Sequence, residues 1–485
     1  MEEIDLQEIK HKTTSSVIFL SLRNVGIQAI SFVGFFILTI LLGTGEVGLF
    51  AIVSESVGIL GYFSDVGLAA ALIQKKDKIK KADLQTTFFI QQILVFLCII
   101  GIAVAYKYIS AAKSYGAQET WIFVSLCFAF IAASLKTIPS VLLERKLNFK
   151  LISTVDISEN FSFYLIAVIF AFLGFGAFSY AIATFVRSLV GLIIMYRISP
   201  WPIGFSFSKK SLKQLFKFGI PYQLNTFISL FKDRLSNLLV AGIIGRDGFG
   251  ILSWAQKGPK ICLSFMDAIM KITFPTFSRL QDHKEILKKS LEKSIYFIAL
   301  FVFPASMGIA LVAPSLINII PKYTKWLPAI IPLYFYAANV AVASITSPLT
   351  NAFNAVGKIT TTTKLMIMWT ILTWIFFPFF TTKYGYIGTA IATLLVGSSS
   401  VVVWILAKKI FDLNILKTVK HPFLSSVLML FFILIFQKIV SVSYLVTFIG
   451  TILIGVATVL LYNWLFCRQE IIWFWHQLQC LKNKK

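Results

Sequence analysis

Long apolar runs, each of about 20 residues or more and parted by short polar breaks, recur along the whole chain. At about 1.5 Å per residue, such runs cross a hydrocarbon layer of roughly 30 Å as helices. Barrel strands would instead alternate polar and apolar positions. Breaks at charges, glycines and prolines predict fourteen spans, over 15–42, 46–74, 84–109, 117–139, 151–173, 176–197, 217–245, 247–279, 288–313, 325–354, 359–382, 385–410, 421–440 and 443–466. The expected fold is an all-α polytopic membrane protein. No stretch between runs exceeds about 25 residues, too short for a separate catalytic domain, since domains usually start near 50.

Composition agrees: 57% of the 485 residues are hydrophobic and only 14% charged, with a mean hydropathy of +0.82. Five cysteines (Cys98, Cys127, Cys262, Cys467, Cys480) form no CxxC pair, and most sit in apolar runs as small hydrophobes. The four histidines (His11, His283, His421, His476) fall in tails, loops or helix ends, which offers no intramembrane metal site or histidine relay. P-loop, GxSxG, HExxH and DxD-type motifs are missing, against an ATP-driven pump or a glycosyltransferase. Residues 1–12 are polar with four acids, and the first run outlasts a signal-peptide core without a cleavage site, so the first helix is expected to stay.

Charge sets the orientation. Of 45 Lys and Arg, 30 are counted on one side (both tails, every even-numbered connection and the span ends beside them), 7 on the other with its span ends, and 8 within spans. By the positive-inside rule both termini are cytoplasmic. Topology and anionic lipid therefore account for the net charge of +24 without nucleic acid.

The second and eighth spans match at an offset of 202: GEVGLFAI (45–52) against DGFGILSW (247–254), and FSDVG (63–67) against FMDAI (265–269). GAFSYAIAT (176–184) matches GYIGTAIAT (385–393) at an offset of 209. Two parallel-repeat six-helix bundles around a central cleft, plus two appended helices, are the economical reading, and a rocking transporter keeps its site between such halves. The predicted organisation is a cytoplasmic tail (1–14), an N-terminal lobe (15–197), a basic, amphipathic cytoplasmic linker (198–216), a C-terminal lobe (217–410), two extra helices (421–466) and a cytoplasmic tail (467–485).

Taken together, an Arg in the first helix (LRNVG), G-x-x-G-L-F-A heading the second, then GYFSDVGLAAALIQKKD, LLERKLNFK and SLKQLFKFGIP resemble bacterial oligosaccharide or polysaccharide flippases of the Wzx type. Their superfamily also holds lipid II flippases and drug and toxin extruders. The resemblance runs from about residue 15 to 410. It implies a transporter, not an enzyme, in the bacterial cytoplasmic membrane. Such a protein flips an undecaprenyl-diphosphate-linked oligosaccharide (a polysaccharide or O-antigen precursor) from inner to outer leaflet by alternating access, without ATP. It also implies cavity Arg and Lys that hold the diphosphate, and a polysaccharide polymerase or glycosyltransferases as partners. No Arg lies between 46 and 74, a departure from the lipid II branch, so only Arg23 of that branch's cationic set carries over.

A charge at the bilayer centre costs roughly 2.5–3.5 kcal/mol on insertion scales, so intramembrane charges need a cavity, a partner or a task. The in-span cations are Arg23, Lys136, Arg187, Lys232, Arg234, Lys257, Lys260 and Lys271. Lys136 and Lys271 lie near helix ends and are expected to snorkel. Arg23 is either a cavity cation or the partner of Asp65 or Glu55, and Arg187 is a salt-bridge or cavity residue. Asp233 is placed to neutralise Arg234 or to bridge to neighbours. Lys257 and Lys260 share a face around a Gly258–Pro259 break expected to kink the helix. The diphosphate-binding candidates are Arg23, Arg187, Arg234, Lys257 and Lys260.

Glu55 and Asp233 are the candidates for coupling to H⁺ or Na⁺, since a buried carboxylate exchanges a cation as its surroundings change. Asp65 and Asp267, with Gly258 and Pro259, are expected to be gate or structural residues; Asp156 and Glu159 are expected to pair with Arg145 or Lys150. No metal and no enzymatic cofactor are implied. Rival functions are a proton- or sodium-coupled multidrug extruder, which would favour an acid-rich cavity, and a membrane polysaccharide polymerase or ligase, which would need larger outer loops than these.

Overall fold

The computed structural model describes residues 6–65, 67–75, 79–113, 116–146, 148–440 and 443–468. Fifteen α-helices and two short helical turns make up its elements, with no strand among the described residues. Ten helical stretches are long and apolar enough to cross a membrane. Two of these, Phe231–Arg279 and Ile359–Phe411, run 49 and 53 residues, enough to cross twice. Each turns at a glycine with left-handed backbone, Gly245 (φ 70°) and Gly385 (φ 57°). A side chain is disfavoured at such positions. With α1 and the α2–α3 pair below, these helices make about fourteen spans in a multi-pass membrane protein.

Contacts divide the chain into two units, Met1–Gly250 and Ile251–Lys485. The first holds α1 (Leu6–Leu41), α2 (Thr44–Asp65), α3 (Leu68–Gln74), α4 (Lys81–Lys113), α5 (Ala117–Arg145), α6 (Phe149–Phe172), α7 (Phe178–Ile198), α8 (Lys209–Leu230) and the head of α9 (Ser236–Arg279). The second span is thus not continuous. Gly67 takes φ 74°, and a β-carbon there would stand 2.4 Å from the Gly219 carbonyl of α8, so only glycine admits this close approach. At the same end Phe88, Ile138, Trp201 and Leu215 bury together with Leu68 and Leu72. Arg145 donates to the carbonyls of Leu72 (2.8 Å) and Ile73 (3.1 Å), satisfying groups that the helix end leaves open.

The basic linker folds in two parts. Its first part lies against α4, where Ser206 donates to Gln85 (2.9 Å) and the Ser208 amide to Thr86 (3.0 Å). The amphipathic part opens α8: Ser211 and Leu215 are buried while Lys209, Lys210, Lys213 and Lys217 are exposed. The heads of the second and eighth spans meet at glycines that match in the repeat. A β-carbon on Gly48 would stand 1.8 Å from the Arg246 carbonyl, and one on Gly250 2.0 Å from that of Thr44. Thr44 Oγ1 donates to Asp247 (2.7 Å) and Arg246 to Glu119 (3.0 Å) beside them. Gly176 (φ 54°) and Gly385 (φ 57°), which open the other matched pair of segments, share a left-handed backbone.

The second unit holds the rest of α9, then α10 (Lys284–Ile319), a 3₁₀ stretch (Pro321–Ala329), α11 (Ile330–Ala355), α12 (Ile359–Ser398), α13 (Val401–Phe411), α14 (Ile415–Ile439) and α15 (Tyr444–Phe466). Phe277, Leu291, Ile295, Leu349 and Phe353 form its main core. The fully buried Tyr323 and Trp326 of the 3₁₀ stretch pack on Trp254, whose indole N–H donates to Tyr323 Oη (2.8 Å). The helix continues through Gly258 and Pro259, and the residue of this stretch with non-helical dihedrals is Gly245. Of the terminal tails, helix α1 already begins at Leu6, while 1–5 and 469–485 lie outside the described residues.

Candidate functional site

In the first unit, α2 brings Glu55 against the seventh span. Arg234 Nη1 donates to Glu55 Oε2 (3.1 Å) and Asn237 Nδ2 to Oε1 (3.2 Å). Gly58, one turn beyond Glu55, makes this possible: a β-carbon there would stand 2.0 Å from Arg234 Nη1. Arg234 belongs to a single π-helical turn, Phe231–Leu235, of the kind that often marks functional sites inside helices. That turn separates neighbouring charges. Asp233 takes Lys232 as its partner (2.5 Å) rather than Arg234, leaving Arg234 to Glu55. The pair is not sealed: the Arg234 side chain is 45% exposed and that of Glu55 26%. One turn deeper, Tyr62 and Gln223 exchange reciprocal hydrogen bonds to each other's carbonyls and tie α2 to α8.

A second set of charges joins α1, α5, α6 and α7. Arg23 Nη1 donates to Asp156 Oδ2 (2.9 Å), and its Nε and Nη2 reach Asn24 Oδ1 (3.2 and 3.0 Å). Arg23 therefore pairs with Asp156 and not with Glu55, which takes Arg234; the side chain of Asp65, the other expected partner, lies outside the described residues. Glu159, three residues from Asp156 on the same face, takes Lys136 and, at 3.7 Å, Arg187. Two expectations fall here. Lys136 turns to the buried Glu159 instead of snorkelling, and Asp156 and Glu159 take Arg23 and Lys136 rather than Arg145 or Lys150. Gly191 of α7 leaves the space that Glu159 fills, a β-carbon there falling 1.6 Å from Oε1. Arg187 keeps 41% of its side chain exposed.

In the second unit Lys260 Nζ donates to Gln256 Oε1 (2.7 Å), and Gln256 Nε2 to Tyr336 Oη (2.9 Å). Lys257 is part-buried, Lys260 and Asp267 exposed. A largely apolar cavity of about 890 Å³ opens between α10, α11, α13 and α14, lined by Phe303, Met307, Val342, Trp404 and Phe423 among others, with Lys420 at its edge. Of the sequence candidates, the structure brings together Glu55 with Arg234. The other functional contacts rest on residues without a sequence signal for their pairing: Asn237, Gly58 and Gly191. Among the described residues no group of three His, Cys, Asp or Glu is placed to hold a metal ion.

Comparison with known proteins places this architecture. Residues 37–331, more than half of the chain, match the model of a family described as polysaccharide biosynthesis protein. An uncharacterised membrane protein of the Klebsiella pneumoniae cps region is 22% identical over 80% of each chain. The lipopolysaccharide biosynthesis protein WzxC of Escherichia coli is 20% identical over 75% of this chain and 74% of its own. Among solved structures, the lipid II flippase MurJ in its inward closed conformation superposes with a TM-score of 0.75 over 93% of this chain and 99% of its own, at 15% identity, a likeness of fold. The solved structure among them is that of a flippase, not of an enzyme. The chain belongs to the polysaccharide biosynthesis protein family, as a Wzx-type member of it.

Proposed function

We propose that this protein flips an undecaprenyl-diphosphate-linked oligosaccharide from the inner to the outer leaflet of the bacterial cytoplasmic membrane, by alternating access coupled to H⁺ or Na⁺ and based on the internal repeat. The observation that carries this reading is the half-exposed Arg234, held by Glu55 against Gly58 within spanning helices. A guanidinium in that setting suits a diphosphate, which it meets with paired, charge-assisted hydrogen bonds. Arrival of the diphosphate would compete for Arg234 and release Glu55, a carboxylate then free to take up H⁺ or Na⁺. Arg187, in the same unit, is a further cation offered to that ligand. Arg23, tied to Asp156, has a structural role that competes with ligand binding.

A cationic drug would need an uncovered acid, whereas Glu55 is already covered by Arg234 and Asn237. Reconstitution with a lipid-linked oligosaccharide tests the reading. Arg234→Ala should cut export at matched expression, the loss of a charge partner being worth about 2–5 kcal/mol once the bound diphosphate shields the half-exposed guanidinium from water. Glu55→Gln should keep substrate binding and lose its response to an imposed pH or Na⁺ gradient. Wild-type export by Arg234→Ala, or a wild-type gradient response by Glu55→Gln, would reject the assigned roles.

A further inference from the structure

At the basic-side ends of α10, α14 and α15 the second unit opens a cavity of about 930 Å³, at the upper end of the roughly 300–1,000 Å³ typical of small-ligand sites. Five cations line it, Lys288, Lys289, Lys293, Lys417 and Arg468, against two carboxylates, Glu292 and Asp412. One carboxylate is already engaged. Lys288 Nζ donates to Asp412 Oδ2 (2.7 Å), and that hydrogen bond holds the Asp412 carboxyl below the usual carboxylate range. The remaining balance is strongly positive. The positive-inside rule accounts for lysines on this side of the protein, but it does not require them to converge on one cavity.

The walls say what kind of anion fits. Leu465 and Phe466, at the last turn of α15, line the cavity and are both 63% exposed. Leu453, Leu460, Leu461 and Trp464 of the same helix are likewise exposed, so this helix presents a lipid-facing surface up to the mouth of the cavity. A ligand that carries its own apolar chains enters along that surface, whereas a free anion gains nothing from it. We propose that the cavity bounded by Lys289, Lys293, Lys417 and Arg468 is a binding site for the phosphodiester headgroup of an anionic phospholipid. Basic pockets between spanning helices at the cytoplasmic face hold such headgroups by charge. The site is independent of the flippase reading, since Glu55 and Arg234 lie in the other unit.

Native mass spectrometry of the full chain, purified and exchanged into equal phosphatidylglycerol and phosphatidylcholine, tests the proposal. Each cation beside an anionic headgroup contributes roughly fivefold in affinity, so wild type should retain phosphatidylglycerol preferentially and K293Q/K417Q/R468Q should lose at least about tenfold of that preference. A control, K209Q/K210Q/K213Q, removes as many exposed lysines from α8 and should retain it. Equal retention in both triple variants, or equal loss in both, overturns the site. Inorganic diphosphate is the third arm: full displacement of phosphatidylglycerol by it at equal concentration overturns a lipid source in favour of a free anion. Where the triple variant does not fold, K417Q and R468Q singly give the same readout, and an unchanged preference in both rejects the site.

Discussion

At the scale of single residues, two arginines of the same sequence signature have different surroundings. Arg23 is about a quarter exposed and bound to Asp156, with Asn24 taking two more of its donors. Arg234 is nearly half exposed and holds one carboxylate that it shares with Asn237. The first therefore reads as a strut and the second as a ligand site. Removing one partner of a buried pair costs about 3–5 kcal/mol; for the partly exposed Arg23 and Asp156 roughly 1–3 kcal/mol is expected. Arg23→Ala should accordingly lower the midpoint of thermal unfolding in detergent, and Arg23→Ala with Asp156→Ala should recover much of the loss. Strict additivity of the two single substitutions would show that the pair carries no coupling.

At the scale of elements, the spans and their breaks were largely legible in the residue pattern. Gly245 and Gly385 stand at the boundaries that hydropathy and charge suggested, because a glycine between two apolar runs is the cheapest turn in a low-dielectric layer. The break between α2 and α3 was not legible: Gly67 looks like any helix glycine until Gly219 is seen beside it. At Gly258–Pro259 the backbone stays helical, a proline being compatible with helical dihedrals. The partners of Asp156 and Glu159 escaped much as the Gly67 break did. Their spacing put them on one face, but Arg23 lies 133 residues away in the chain, and nothing local encodes that contact. The Glu55–Arg234 contact spans 179 residues, and only the excess of in-span cations hinted at such a pair. Gly191 tests the packing of α6 on α7. A methyl group there meets Glu159 Oε1, so Gly191→Ala should cost about 1–3 kcal/mol, the range for overpacking, and a thermal midpoint equal to wild type would show that Glu159 has room to move.

At the scale of the whole molecule, the 30-to-7 division of basic residues predicts an orientation with both termini cytoplasmic. In a background freed of native cysteines, Cys at Lys322 should react with an impermeant thiol reagent added outside, and Cys at Lys284 should not; both positions are exposed, so the reverse pattern would invert the topology. With that predicted orientation the Gly48–Gly250 contact would face the outer side. There two backbones touch with no side chain between them, and hydrogen bonds from Thr44 to Asp247 and from Arg246 to Glu119 flank them. A contact made of bare backbone has no tolerance. A single methyl group is a wedge that prises the two helix ends apart, while a pair of cysteines in place of Thr44 and Asp247 is a latch that an external reductant could undo. Both tools act from outside the cell, so the protein could be stalled or released there without altering any charge in its interior.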